Sequence, residues 1–138
     1  MRINVVLGGL EYWCTGTRIN NTALNFKPYV LTAEHCGLTG SNQIASAGDL
    51  DKWQFFFNYS GNGCANPNSE NEVNFSSITG SEFVSRSDDN GGDFGSDFLL
   101  LKLTDTTSFN QLNRPYFAGW NRADSKPLRG VSIPPPRR

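Results

Sequence analysis

Short apolar segments separated by turn-forming residues constrain the fold of this chain more than any other feature. Gly, Asn, Ser, Asp and Thr recur at short intervals, and the segments between them are rich in Phe, Val, Ile, Leu, Trp and Tyr. β-branched and aromatic residues favour strands, and clusters of turn residues favour the connections between them. Strands are predicted near residues 11–19, 29–32, 52–59, 73–78, 82–85 and 98–103. This pattern predicts an all-β fold, an antiparallel barrel or sandwich, without an amphipathic helix.

Two motifs each place a chemically active side chain beside a predicted strand. The first is Thr32-Ala33-Glu34-His35-Cys36, which follows an apolar run and contains the single His of the 138 residues. The second is Asp97, which opens the strongly apolar run at residues 98–103. An imidazole can accept a proton at one nitrogen near neutral pH while its other nitrogen donates to a carboxylate. The two motifs therefore predict a general base and the acid that orients it.

These two motifs together resemble those of the trypsin-like serine peptidases. The segments at residues 14–22, 118–120 and 130–133 are most similar to the lysyl-endopeptidase branch of that family. The resemblance covers nearly the whole chain. It implies an antiparallel Greek-key barrel at residues 1–113, the N-terminal barrel of a two-barrel fold, incomplete at its own N-terminus. Residues 114–138 then resemble the first strands of a truncated second barrel.

The last five residues depart from the family. They carry three successive prolines, which lack the N–H groups that a central strand needs. A truncated or frame-shifted reading frame is the expected explanation for this tail.

The resemblance also implies the chemistry of the site. His35 is expected to be the base of a Ser-His-Asp triad and Asp97 its orienting acid. The serine nucleophile is expected to be absent, because neither Gly-x-Ser-x-Gly nor Gly-Asp-Ser-Gly occurs in the sequence. The expected function is that of a serine endopeptidase, which hydrolyses peptide bonds through an acyl-enzyme, and this chain alone is expected to be inactive.

The three cysteines are assigned by the same resemblance. The matching family positions pair Cys14 with Cys36 in the disulfide that braces the histidine loop. Cys64 is then expected to be unpaired, because its family partner would lie upstream of this chain. An odd number of cysteines in an exported protein agrees with one missing partner.

Simpler structural explanations exist for both members of the predicted pair. Without its context, a lone His at a strand end is more often a hydrogen-bonded structural residue than a base. Asp97 lies in Gly95-Ser96-Asp97, a sequence typical of turns. Asp93 is the nearest competitor for the acid, but it lacks an adjoining apolar strand.

Metal binding is the other alternative for these residue types. Three Cys and one His match the ligand count of a structural zinc site. The sequence has no Cys-x-x-Cys, however, and the adjacent His35 and Cys36 would leave a strand on opposite faces. The acidic loop at residues 88–93 does not follow the EF-hand order of calcium ligands. We therefore expect no metal and no cofactor.

Charge and hydropathy narrow the choice of partners. The formal net charge is −1, and no basic run occurs apart from Arg137-Arg138, so nucleic acid and anionic membranes are not expected as partners. No apolar run approaches the ~20 residues that span a bilayer. No export signal is visible at the N-terminus, although the family is normally secreted. We expect a polypeptide substrate and, in the complete protein, a secreted monomer.

Three further expectations concern the packing of individual side chains. Arg18 occupies a position where the family generally has an inward-facing aliphatic residue, and two alternatives are left open: its charge extends to solvent, or the local register of this strand differs from that of the family. Glu34 is expected to face solvent. The three Trp residues and the Phe55-Phe56-Phe57 run are expected to pack in the core.

A non-enzymatic function is the second hypothesis. The chain would then be a degenerate barrel that binds a partner and keeps His35 and Asp97 as relics. Its contact surface would consist of the exposed side chains of Tyr116, Phe117, Trp120 and Ile133.

Overall fold

A computed structural model describes residues 1–64, 73–89, 95–111, 116–121, 123 and 128–130. Within these residues the strands are Arg2–Leu7 (β1), Leu10–Ile19 (β2), Tyr29–Ala33 (β3), Gln54–Gly61 (β4), Val73–Thr79 (β5), Ser81–Arg86 (β6) and Phe98–Leu103 (β7). A 3-10 helix spans Glu34–Gly37, and two short α-helices span Ala47–Leu50 (α1) and Thr106–Gln111 (α2).

The strands form one antiparallel sheet in the order β5-β4-β1-β2-β3-β7-β6. The partial order β4-β1-β2-β3 is that of a Greek key, in which the fourth strand returns beside the first. The strands at the two ends of this order, β5 and β6, are joined by Gly80 alone. Because one residue cannot span a flat sheet, the sheet must curl. The predicted all-β, barrel-like fold class is confirmed.

Two glycines mark the corners at which the sheet turns. Residues 10–15 of β2 pair with β1, and residues 16–19 pair with β3. A Cβ atom at Gly16 would lie 2.8 Å from Cδ1 of Ile3 and 2.9 Å from the carbonyl oxygen of Leu31. Gly80, with φ of +93°, turns the chain from β5 into β6. Only glycine suits both positions, since one is crowded and the other is left-handed.

The core lies on the inner face of the curled sheet and follows the two-residue period of the strands. Leu99, Leu101 and Leu103 of β7 are completely buried, as are Ile3 and Val5 of β1. This alternation places one face of each strand inside. The residues on the opposite face of β3 and β7 are only partly buried.

The tryptophans divide between the core and the surface. Trp53 is fully buried with Phe55 and Phe57, and its Nε1 donates to the carbonyl oxygen of Val6 at 3.0 Å. Trp13 and Trp120 are 53% and 51% exposed, so the prediction that they pack in the core was wrong. Trp13 lies on the part of β2 that pairs with β1. The guanidinium carbon of Arg2 lies over its ring, 3.7 Å from the ring centroid.

The six strands predicted from sequence are all present, with small shifts at their ends. β1 was not predicted, although the alternation of buried Ile3 and Val5 is a strand pattern. α1 begins after Ser46, whose Oγ accepts from the Asp49 amide at 3.1 Å. Such a cap explains the start of this short helix.

The proposed boundary between residues 113 and 114 lies outside the described residues and remains a prediction. Ala118 forms a parallel bridge with Ile19, and its amide donates to the Arg18 carbonyl oxygen at 2.8 Å. The described segment at 116–121 therefore lies against β2. Ile133 and the proline tail also fall outside the described residues.

No helix among the described residues is long and apolar enough to cross a membrane.

Candidate active site

His35 lies in the 3-10 helix that follows β3, and a disulfide anchors the next residue. Cys36 is 8% exposed and is bonded to Cys14 of β2, which confirms the predicted pair. A closed loop of this length contributes about 3 kcal/mol to the free energy of unfolding on the chain-entropy account. The His35 side chain is 64% exposed. The buried, disulfide-bonded Cys36 thus fixes the backbone that carries the accessible imidazole of His35.

Asp97 reaches His35 because β3 and β7 are antiparallel neighbours. Ala33, the last residue of β3, pairs with Phe98, the first residue of β7. The residue after Ala33 and the residue before Phe98 therefore lie at the same end of the strand pair. This register brings His35 and Asp97 together across 62 positions of sequence.

The Asp97 carboxylate contacts His35 through both of its oxygens. Oδ2 lies 2.7 Å from His35 Nδ1, and Oδ1 accepts from the His35 backbone amide at 2.9 Å. A carboxylate is an acceptor only, so in neutral His35 the proton of this hydrogen bond belongs to Nδ1. Nε2 is then an acceptor, and it has no hydrogen-bond partner among the described residues. The geometry thus presents Nε2 as an acceptor on an exposed ring.

The surroundings of Asp97 favour its ionised form. Burial raises the pKa of this carboxyl group, but hydrogen bonds from the backbone and ring of His35, the charge of His35 and the Glu34 amide outweigh it. The net effect is a pKa below the ordinary value of an aspartate. Asp97 is therefore a carboxylate at neutral pH, as an acceptor for Nδ1–H must be.

The backbone at Asp97 has an uncommon conformation. Its φ is +44°, in the left-handed region that residues with a side chain seldom adopt. Its carbonyl oxygen accepts from the Glu34 amide at 3.0 Å. Surrounding contacts must hold such a conformation in place.

Glu34 is 1% exposed, so the prediction that it faces solvent was wrong. Its Oε2 accepts from Ser87 Oγ at 2.6 Å, and its Oε1 accepts from the Asp88 amide at 3.1 Å. Arg86 Nε lies 3.5 Å from the same Oε1. The period of β3 carries the signal that was missed, because Glu34 continues the buried face of Val30 and Thr32.

Arg18 is half-buried and points toward aromatic rings instead of solvent. Its guanidinium carbon lies 4.8 Å, 5.5 Å and 5.4 Å from the ring centroids of Phe57, Phe109 and Phe117. Burial lowers its pKa. Its Nη1 is buried and has no hydrogen-bond partner in the described part of the chain.

The remaining candidate residues lie apart from this site or outside the described residues. Cys64 is exposed and free, as predicted. Asp93 lies outside the described residues, and its role as a competitor of Asp97 remains a prediction. No cluster of His, Cys, Asp or Glu side chains in the described ranges could hold a metal ion.

An apolar pocket of about 280 Å³ lies near the other end of β3. It is lined by Tyr29, Leu100, Trp120 and the residues 19–22. Tyr29 opens β3, whereas His35 follows the end of that strand. This pocket is therefore separate from the His35–Asp97 pair.

A curled antiparallel sheet brings a hydrogen-bonded His and Asp together at neighbouring strand ends, the arrangement expected from the resemblance to the trypsin-like serine peptidases. The comparison with protein families is more specific. The family described as "Lysyl endopeptidase, C-terminal domain" matches residues 1–137. The chain therefore belongs to the lysyl endopeptidase family, which confirms the resemblance found in its sequence.

Proposed function

We propose that this chain provides the general base and the orienting acid of a lysyl-endopeptidase-like serine endopeptidase. The observation that carries the proposal is the two-point contact between Asp97 and His35, which leaves Nε2 on an exposed ring without a hydrogen-bond partner among the described residues. In a triad, the base must accept the proton of a serine hydroxyl at that nitrogen. Membership in a peptidase family supports the same assignment.

The proposed reaction follows the geometry of the pair. Asp97 holds Nδ1 as the donor, and Nε2 removes the proton from the serine hydroxyl as its oxygen attacks the peptide carbonyl. The Asp97 carboxylate stabilises the imidazolium that forms. The imidazolium then returns the proton to the leaving amine, and water hydrolyses the acyl-enzyme in a second cycle of the same steps.

Other parts of the machinery must come from polypeptide other than the described residues. These are the serine, the N–H groups of the oxyanion hole and the pocket that binds the substrate side chain. The 138 residues by themselves are proposed to be inactive. A preference for cleavage after lysine rests on the family alone.

The proposed setting is a secreted monomer that acts on polypeptides without a cofactor. The Cys14–Cys36 disulfide supports an oxidising compartment. The net charge of −1 gives no electrostatic attraction to nucleic acid or to anionic membranes.

A binding module remains the second candidate function. Tyr116 and Trp120 are 79% and 51% exposed, and Trp120 lines the apolar pocket near Tyr29. Phe117 does not fit the predicted contact surface as well, because its ring packs on Phe26 and Phe109 at centroid distances of 5.6 Å and 5.9 Å. Binding of a partner at Tyr116 and Trp120, without hydrolysis, would favour this function.

The enzymatic proposal is tested with the gene product at its native length, including any coding sequence on either side of these residues. We expect it to cleave unfolded polypeptides and lysyl amides, with fragments that end in lysine by mass spectrometry. His35→Ala should lower kcat by on the order of 10⁶. A native-length protein that lacks a glycine-flanked serine, or one that is equally active with His35→Ala, would overturn the proposal.

A further inference from the structure

We propose that Glu34 is a positioning residue for the His35–Asp97 pair. Its buried carboxylate would hold the two chain segments that flank Asp97, so that Asp97 keeps both oxygens on His35. This inference rests on the proposed function, because it assigns Glu34 to the machinery of that same site.

The first step concerns what fixes Asp97. Its left-handed backbone, with φ of +44°, needs restraints on both sides. On one side its carbonyl oxygen accepts from the Glu34 amide at 3.0 Å. On the other side, the Phe98 amide donates to Ser87 Oγ at 3.3 Å, and the Ser87 amide donates to the Phe98 carbonyl oxygen at 2.9 Å. Ser87 therefore holds the residue that follows Asp97.

The second step joins these two restraints through one side chain. Ser87 Oγ donates its proton to Glu34 Oε2 at 2.6 Å. The hydroxyl is thus oriented so that its oxygen accepts from the Phe98 amide. Glu34 reaches the Asp97 segment twice, directly with its backbone amide and through Ser87 with its carboxylate. The contacts form a closed ring that includes Glu34, Asp97, Phe98 and Ser87.

The third step explains why a carboxylate suits this place. Glu34 Oε1 accepts from the Asp88 amide at 3.1 Å, so the two oxygens receive protons from two different donors. A glutamine would present an NH₂ group to one of those donors. Arg86 Nε at 3.5 Å supplies a positive charge to the buried anion. Without such partners, burial of a second carboxylate close to Asp97 would be costly.

The test measures which nitrogen of neutral His35 carries the proton. His35 is the single His of the chain, so histidine labelled with ¹⁵N gives one pair of ring signals at a pH where the imidazole is neutral. We expect the Nδ1–H form to predominate in the wild-type chain. Glu34→Gln and Ser87→Ala should each shift the ratio toward Nε2–H by about fivefold, the equivalent of one net hydrogen bond.

Matched control variants are available on β6, the strand that ends just before Ser87. Glu82 forms an exposed ion pair with Lys102 across β6 and β7 at 3.2 Å, so Glu82→Gln makes the same chemical change away from the site. Ser85→Ala removes a hydroxyl that makes no hydrogen bond with the described residues. Both controls should keep the wild-type ratio. If Glu34→Gln does not fold, Ser87→Ala decides the matter, because it deletes one oxygen atom only.

A ratio within twofold of wild type in folded Ser87→Ala or Glu34→Gln would overturn the inference. So would an equal shift in Glu82→Gln.

In the native-length protein, Glu34→Gln should lower kcat by about tenfold to a hundredfold while KM stays nearly unchanged. Failure of the proposed function looks different: the wild-type protein would hydrolyse nothing, although the ratio in the chain would still respond to Glu34→Gln.

Discussion

The two ends of β3 bury charge in different ways. At the polar end, after Ala33, the carboxylate of Glu34 has hydrogen bonds from Ser87 and Asp88. At the aromatic end, beside Val30, the guanidinium of Arg18 packs against phenylalanine rings and keeps one nitrogen without a partner in the described residues. Directional contacts fix atoms in place, whereas ring faces tolerate movement. The polar end is therefore the one suited to hold a reactive pair.

Removal of the Glu34 side chain should have the largest effect on stability. Glu34→Ala leaves the Ser87 hydroxyl and the Asp88 amide without their acceptor in a partly buried place, and Arg86 loses one of its two carboxylate partners and keeps Asp88. We expect the free energy of unfolding to fall by about 3 to 5 kcal/mol. Urea unfolding measures this value, and Glu82→Ala, with an exposed ion pair, should cost less than about 1 kcal/mol. Equal losses in the two variants would remove the distinction between buried and exposed charge.

Loss of the disulfide should have the second-largest effect on the free energy of unfolding. The Cys14–Cys36 bond ties the polar end to β2, and the double variant Cys14→Ala/Cys36→Ala should unfold more easily by about 3 kcal/mol. Cys64→Ser is the control, because that thiol is exposed and free, and it should change stability by less than about 0.5 kcal/mol. Urea unfolding without reductant compares the three proteins. A larger loss from Cys64→Ser would mean that Cys64 has a structural partner.

At the aromatic end, removal of the charged group should raise the free energy of unfolding instead of lowering it. Arg18→Met keeps an unbranched side chain among Phe57, Phe109 and Phe117 but removes a half-buried cation whose buried Nη1 lacks a hydrogen-bond partner in the described part of the chain. We expect a gain of about 1 kcal/mol in the free energy of unfolding.

Arg2→Met is the matched control for this substitution, because Arg2 packs against the exposed ring of Trp13. It should lose about 0.5 kcal/mol. Destabilisation by Arg18→Met would show that the contacts with the rings outweigh the burial of the charge.

Acid should lower the free energy of unfolding, because it protonates Asp97 at the polar end of β3. The pKa of Asp97 is lowered in the folded chain, so its contribution to stability is complete above the ordinary aspartate pKa of about 3.9. It is lost as the pH falls through the lower pKa of the folded state. The difference in unfolding free energy between wild type and Asp97→Asn should therefore stay constant from about pH 6 to about pH 4 and shrink as the pH falls from there toward about 2. A difference that stays constant down to about pH 2 would contradict the account of Asp97 as an ionised partner of His35.

Local sequence patterns were sufficient to predict the central pair. His35 and Asp97 each adjoin an apolar strand, and the pairing of β3 with β7 then brings them together. The environment of Arg18 could not be predicted in this way, because Phe57, Phe109 and Phe117 are distant in sequence and meet only when the sheet curls.

The burial of Glu34 falls between these two cases. Its place on the inner face follows from the two-residue period of β3, but its partners at residues 86–88 come from the end of β6 and the two residues after it. Sequence periodicity could thus have predicted that Glu34 is buried. It could not have predicted what holds Glu34 there.

The most direct test of the account is the effect of Asp97→Asn on kcat in the native-length protein. If Asp97 holds Nδ1 as the donor, an asparagine that presents its NH₂ to that nitrogen imposes the wrong tautomer, and kcat at neutral pH should fall about 10⁴-fold. Retention of kcat within about tenfold of wild type would contradict the claim that His35 and Asp97 act as a pair.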